Sequence, residues 1–246
     1  MIGITFDIDW SPDPIVDAVM SLFEGNKIPV TLFCTNPDTD RSGNSSSLAG
    51  RYQDRHELGL HPHFASIAEG DAVLQALRAH YPNARGFRSH NGCTGWPFAC
   101  AAARNGLLYE LECRVFPVDV PPFALNDPDG FVVLVNRFMD SQMLRVPGYS
   151  WSLADARLTD AVLAPDNLFV MNFHPNVIYY DMSSVDDYLK YRPHYHEPIE
   201  SESFLCKRPS GAAKFIRELL SSVERKYFTT ISDFGLARGL WSSPNS

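Results

Sequence analysis

The sequence predicts an α/β fold in which βα units build a largely parallel sheet, either closed into a barrel or left open and doubly wound. Three observations carry this expectation. Short apolar runs alternate along the chain with stretches whose apolar residues recur at helical spacing. The length, 246 residues, suits about six to eight such units, the size of a β/α barrel. Several apolar runs also stop at a residue able to ligate a metal or move a proton, as expected where parallel strands all open on one face.

Ile2 to Phe6 reads as a buried strand. After it, Ile15, Val16, Val19, Met20 and Phe23 share one face of a helix that Pro12 and Pro14 precede or open, where a missing N–H costs little. Ile28 to Thr35 is rich in β-branched and aromatic residues and reads as the next strand. The serine-rich patch and Leu48 to Arg55 predict a loop and a short helix, followed by a strand at Glu57 to Leu60 and a helix over Asp71 to Tyr81. Gly86 to Arg88 and Glu112 to Val118 read as strands flanking an alanine-rich helix near Pro97 to Leu108. From 121 to 147 the rhythm breaks: Pro, Asn and Asp turn signals surround one apolar run, Phe131 to Val135, and suggest an inserted hairpin. Leu168 to Phe173 is the most apolar strand, 181–210 reads as a lid-like loop, Ala212 to Arg225 as an amphipathic helix and Tyr227 to Ile231 as the last strand.

Composition narrows the class. With 45% apolar and 20% charged residues, the chain is too apolar to be disordered. No apolar run approaches the roughly 18 residues needed to span a bilayer, so no membrane insertion is expected. The net charge of −8 and the lack of a Lys/Arg cluster argue against nucleic acid as partner. The five cysteines show no CxxC spacing and suit free thiols in a reducing compartment. With no basic-then-apolar leader, the expected location is the cytoplasm.

The chemistry gathers where strands end. Ile2–Phe6 runs into Asp7 and Asp9, and Leu58–Leu60 into His61-Pro62-His63. Gly86-Phe87 leads to Arg88-Ser89-His90, and Leu168–Phe173 to His174-Pro175-Asn176. Alone, an Asp-x-Asp after a strand is ordinarily a turn or cap, and a histidine ending an apolar strand is often a bonded core residue. Together these endings place acids, imidazoles and a guanidinium on one rim. Catalytic zinc is commonly held by three His or carboxylate ligands with a fourth position left to water, and Asp9, His61 and His63 supply such a set. Asp7 is then placed as general base, His174 as general acid, and Arg88 as the group holding Asp7 ionised. Trp10, His90 and Asn176 adjoin these groups and are expected to contact substrate. Tyr179, Tyr180, Tyr188, Tyr191 and Tyr195 crowd the stretch after His174, as a sugar-stacking wall or a packed lid. The run His194-Tyr195-His196-Glu197 lies between prolines with no strand before it and reads as loop. No GxSxG and no phosphate-binding glycine loop is present.

These motifs resemble the polysaccharide deacetylase superfamily, the NodB-homology or carbohydrate esterase family 4 domain. The resemblance is carried, in order, by Thr5-Phe6-Asp7-Ile8-Asp9, by His56 to His63, by Phe87-Arg88-Ser89-His90 and by Asn172-Phe173-His174-Pro175. It is strongest toward the WbmS-like branch associated with surface-polysaccharide gene clusters, whose members carry TFDxDW, ELGxHP, RSH and NFHP strings. It implies a single-domain, distorted (β/α) barrel that binds one divalent metal, usually zinc, with cobalt, nickel, manganese or iron also suited to such ligands. It also implies removal of acetyl groups from an acetylated sugar of a polysaccharide or its precursor. Asp7 matches the family's base, Arg88 the arginine that orients it, His61 the first metal histidine and His174 the acid. The family's adjacent Asp pair is here Asp-Ile-Asp, which makes Asp9 the metal aspartate. Its second metal histidine, four residues after the first, is here Ala65, so either His63 or His90 takes that place or the site holds metal weakly. The rival expectations are another metal hydrolase on a β/α barrel, an amidohydrolase or phosphoesterase, and a degenerate member that binds glycan without cleaving it.

Overall fold

The computed structural model describes residues 1–36, 47–115, 123–124, 130–154, 156 and 167–241. The strands are β1 (Ile2–Asp7), β2 (Thr31–Cys34), β3 (Glu57–Leu60), β4 (Gly86–Phe87), β5 (Tyr109–Val115), β6 (Phe123–Ala124), β7 (Val132–Met139), β8 (Phe169–Phe173) and β9 (Phe228–Thr229). β1 to β5 pair in order and in parallel, β5 passes to β7, β7 to β8, and β8 returns to β1. That return, Ile2–Phe6 against Phe169–Phe173, closes a barrel of seven parallel strands and removes the open, doubly wound alternative. β6 pairs antiparallel with β7, and β9 adds in parallel to the start of β1. The chain is a single-domain (β/α) barrel.

Helices α1 (Asp13–Gly25), α2 (Ser47–Tyr52), α3 (Gly70–His80), α4 (Trp96–Arg104), α5 (Asp140–Met143), α6 (Pro175–Tyr179), α7 (Val185–Tyr191), α8 (Ala212–Ser222) and α9 (Ile231–Ala237) complete the described elements. Alternation along each strand separates two cores. Ile2, Ile4 and Phe6 belong to the larger cluster with Phe23 of α1, Phe173 and Phe215 of α8, the layer between strands and helices. The opposite faces of the strands meet inside. There Phe33, Tyr109, Leu111, Val132, Leu134 and Val170 pack with Ile231, Phe234 and Trp241, so α9 and the chain after it plug the end where the strands begin. Glu57 is half-buried against that plug. Its carboxylate accepts from Thr31 Oγ1 (2.9 Å), Tyr109 Oη (2.8 Å) and the Ser232 amide (2.9 Å) and hydroxyl.

Several boundaries differ from the sequence expectation for identifiable reasons. β7 runs through Asn136 and Arg137 to Met139 rather than stopping at Val135. Asn136 is fully buried because its amide donates to the Glu112 carbonyl (2.7 Å) while its oxygen accepts from Arg88 (3.0 Å), so a polar residue continues the strand at no hydrogen-bonding cost. Of the hairpin expected over 121–147, β6 pairs with β7, itself a barrel strand, and the connecting residues lie outside the described ones. The last strand shrinks to two residues because Thr230 caps α9, its hydroxyl accepting from the Asp233 amide at 3.1 Å. The stretch 181–210 contains α7 and short 3-10 turns at Arg192–His194 and Glu200–Glu202.

Candidate active site

The strand ends deliver their side chains to one rim because the ladder continues past the last formal strand residue. The Ile8 amide bonds the Phe33 carbonyl (3.2 Å) and the His61 amide the Cys34 carbonyl (2.8 Å). Next along, Arg88 N–H donates to Leu60 O (2.9 Å) and His90 N–H to Pro62 O (2.9 Å). This last pair of bonds brings the Arg-Ser-His segment alongside His61, so His90 arrives at the centre although His63 is nearer to His61 in sequence.

Asp9, His61 and His90 offer one ligand atom each, all within 4.8 Å of one another. His61 Nε2 lies 3.3 Å from Asp9 Oδ1, and His90 Nδ1 lies 3.1 Å from Asp9 Oδ2 and 3.3 Å from His61 Nε2. His61 Nδ1 faces the Arg88 carbonyl at 2.8 Å, which fixes the proton on that nitrogen and turns the Nε2 lone pair toward Asp9. Asp9 Oδ1 is buried and has no hydrogen-bond partner. A carboxylate and two imidazole nitrogens thus converge around a buried oxygen left unpaired among the described residues, a donor set that fits a divalent cation of the zinc class. His63 is exposed, its ring 5.5 Å from that of His90, and is not among the three; Ala65 is exposed as well. Burial opposes ionisation of Asp9, yet the two histidines hold its carboxyl well below the ordinary range. Burial likewise disfavours the His61 cation, but Asp7 and Asp9 together raise its pKa.

Asp7 sits beside this cluster in a polar brace at mid-barrel. Arg88, with no exposed surface, donates through Nη1 to Asp7 Oδ1 (2.6 Å) and Asn172 Oδ1, and through Nη2 to Thr5 Oγ1 (2.9 Å) and Asn136 Oδ1 (3.0 Å). Asn172 Nδ2 donates to Asp7 Oδ2 at 2.8 Å. The guanidinium lies over the Phe33 ring, 4.5 Å from its centroid. Gly59 makes the space for that ring, since a Cβ there would meet it at 2.6 Å. Burial penalises the Asp7 charge, but Arg88, then His61 and His174, overcome that cost and hold the carboxyl below its ordinary value.

His174 follows β8 and is aimed by Asp140, which follows β7 and opens α5. One Asp140 oxygen takes the His174 amide (2.7 Å) and the other takes ring Nδ1 (2.7 Å), leaving Nε2 on the cavity side, 3.8 Å from Asp7 Oδ2. Burial disfavours the imidazolium, yet Asp140, with Asp7 and Asp9 beyond it, raises its pKa to about 9. Sequence reasoning missed Asp140. The signal that could have found it is an acid just past the carboxyl end of a strand, masked by the polar pair Asn136-Arg137 that interrupts the apolar run.

Trp10 and Asn176 border the same centre. Trp10 adopts a left-handed backbone (φ 63°), is 42% exposed, and sets its indole edge-on to His90 with ring centroids 5.3 Å apart. Its carbonyl accepts from Asn176 Nδ2 (2.8 Å), while Asn176 Oδ1 is buried without a partner.

A family model of WbmS-like polysaccharide deacetylases matches residues 4–192. No curated protein matches the chain. Among solved structures, it is similar to WbmS of Bordetella bronchiseptica, described as a polysaccharide deacetylase involved in O-antigen biosynthesis, at 22% identity and a TM-score of 0.69 over 90% of each chain. It is also similar to the Xyl-CE4 domain of a multidomain xylanase from the hindgut metagenome of Trinervitermes trinervoides, at 13% identity and a TM-score of 0.52 over 100% of this chain and 93% of that one. A third likeness is to 4-α-glucanotransferase from Thermococcus litoralis, at 12% identity and a TM-score of 0.55 over 96% of this chain and 38% of that one. These structural likenesses are of fold. The family match is of sequence and runs from β1 through the Asn-Phe-His-Pro turn after β8, and it carries the conclusion: the chain belongs to the WbmS-like family of polysaccharide deacetylases.

Proposed function

We propose that the protein is a divalent-metal hydrolase that removes an acetyl group from an N- or O-acetylated sugar of a surface polysaccharide or its precursor. The observation that carries this is the convergence of ligand atoms from Asp9, His61 and His90, with Asp9 Oδ1 buried and unpaired among the described residues, beside an acid and a base that are each locked by a buried partner. Asp9, His61 and His90 would hold the ion, with His90 in preference to His63, and zinc is the ion we favour. Asp7 is held below its ordinary pKa, so it suits a proton from water that is itself acidified, which is the chemistry a divalent metal would supply when bound. Asp7 accepts that proton, and Arg88 keeps the carboxylate charged and oriented. His174, cationic at neutral pH, returns a proton to the departing nitrogen or oxygen. Trp10 and Asn176 are proposed to contact the sugar. The family membership supports a carbohydrate substrate, and the described role of the Bordetella protein supports a surface polysaccharide. No helix among the described residues is long and apolar enough to cross a membrane, and we favour a cytoplasmic precursor as the form acted upon.

The test couples metal content to acetate release. Purified protein is expected to hold near one equivalent of divalent metal, lost in Asp9→Ala, His61→Ala and His90→Ala but kept in His63→Ala. Asp7→Asn is expected to keep the metal and lose acetate release from acetylated amino-sugar oligomers. Full acetate release by Asp7→Asn, or by protein stripped of metal, overturns the reading.

A further inference from the structure

Two cavities meet at the proposed metal site and share Asp9, Trp10, His61, His90 and Tyr195 as a common wall. The smaller, about 390 Å³, also takes in Asp7 and His174 and is where the acetyl group reacts in the proposed function. The larger, about 810 Å³, opens on the far side of Trp10 and contains none of the acid–base groups. Both sizes fall within the range of small-molecule sites. A glycan reacting in the smaller cavity therefore extends across the exposed indole into the larger one.

The larger cavity carries a cationic side chain that no acid among the described residues pairs with. Arg192, His63 and His196 line it. Among the described residues, the interaction of the Arg192 guanidinium is with the Tyr188 ring, 6.0 Å from its centroid, and no carboxylate pairs with it. Glu202, an acid of the same segment, is already taken by Tyr191 (2.6 Å), Lys190 and Lys207. Glu69 lies on the cavity wall, but its carboxylate is engaged by the Ser66 hydroxyl at 3.3 Å. Asp9 and Glu69 line the same cavity, but neither pairs with Arg192, so the concavity offers a guanidinium left without an acid partner among the described residues.

We infer that the larger cavity is a subsite for an anionic group of the substrate, held by the Arg192 fork with His63 and His196 beside it. The inference builds on the deacetylase reading and narrows its substrate class to acidic glycans. The anion is either the carboxylate of an acidic sugar next to the acetylated one or the phosphate of an activated precursor. A guanidinium recognises both in the same two-pronged way.

Three probes separate these sources: N-acetylglucosamine joined to glucuronic acid, the same disaccharide with that carboxyl reduced to hydroxymethyl, and N-acetylglucosamine 1-phosphate. Affinity for the whole protein is measured by calorimetry and acetate release is measured separately. Absence of turnover then counts against the deacetylase reading while anion preference is still scored. One anionic probe is expected to bind about tenfold more tightly than the neutral one, and which of the two does so names the source. Arg192→Ala should bring that ratio toward one, and Arg192→Glu should invert it. Equal affinities in the native protein overturn the inference. So does a preference that survives both Arg192 variants, or one that vanishes instead in Arg145→Ala, the cation lining the smaller cavity.

Discussion

Arg88 shows how strongly one buried side chain can be committed. Its guanidinium has no water to fall back on, and its Nη donors are spent on Asp7, Asn172, Thr5 and Asn136. Removing it leaves the Asp7 carboxylate buried without its counter-charge. Such losses typically cost about 3–5 kcal/mol, so Arg88→Ala should lower the urea midpoint sharply as well as abolish turnover. Arg88→Lys should recover little of either, because a single ammonium cannot reach acceptors spread across the fork. A midpoint unchanged by Arg88→Ala would show that the brace contributes nothing to folding. Asp140 gives a second, titration-based expectation. It is the largest of the influences that raise His174 to about 9, against the burial that lowers it. As the acid, His174 must carry its proton, so activity should fall as pH rises through about 9. Asp140→Asn removes the raising influence and should move that alkaline limb about one to two pH units lower. Activity near pH 8 should then fall about two- to tenfold while much of that at pH 6 survives. An alkaline limb that stays in place would remove Asp140 from the acid's environment. Asp7, Asp9, His61, Arg88 and His174 were legible as candidate site residues because each stands at or just after the end of an apolar run. Asp140 was not, because its strand contains Asn136 and Arg137, whose tolerance depends on partners brought by other strands.

At the scale of elements, the site depends on very short strands. β4 has two residues, yet the hydrogen bonds of Arg88 and His90 to Leu60 and Pro62 extend its pairing with the β3 side and set the place of both side chains. The glycines facing the barrel interior belong to the same arrangement. Gly59 lies under the Phe33 ring, and that ring supports the Arg88 guanidinium. Gly59→Ala should therefore push Phe33 into Arg88, at about 1–3 kcal/mol for overpacking, and lower turnover with it. Pairing Gly59→Ala with Phe33→Leu should return part of the stability, since the smaller side chain makes room. Denaturation midpoints of the single and double variants provide the check, and simple additivity would argue against a Gly59–Phe33–Arg88 stack. Periodicity made most helices and strands legible to within a few residues, as for β3 at Glu57–Leu60. It failed where caps decide the boundary, as at Thr230. It could not resolve how many residues of β4 belong to the sheet, because a two-residue strand has no period.

At the scale of the whole molecule, closure of the barrel is what turns separate strand ends into one centre. Closure was not legible in the alternation of elements, which an open sheet shares; the family resemblance implied it, and the β8–β1 pairing bears it out. Once the ring closes, Asp9 after β1, His61 after β3 and His90 after β4 stand together, and Asp7 and His174 are brought to the same rim from β1 and β8. A cation held by the first three would join segments separated by as many as 81 positions, from Asp9 to His90, in a set that no unfolded chain holds ready. Its binding energy should therefore appear as stability of the entire barrel. Free metal at about a hundred times its dissociation constant adds about 2.7 kcal/mol to the folded state. For a chain of this length that corresponds to a rise in Tm of about 5 to 10 °C. The gain should be reversed by a chelator and absent from Asp9→Ala and His90→Ala, while His63→Ala should keep it. Because Tm is read without substrate, it tests the metal centre independently of any assay for acetate. A Tm indifferent to zinc, cobalt, nickel, manganese and iron alike would mean that the converging acceptors are satisfied by protons on the imidazoles instead. The chain would then keep the barrel of its family without the ion on which the proposed hydrolysis depends.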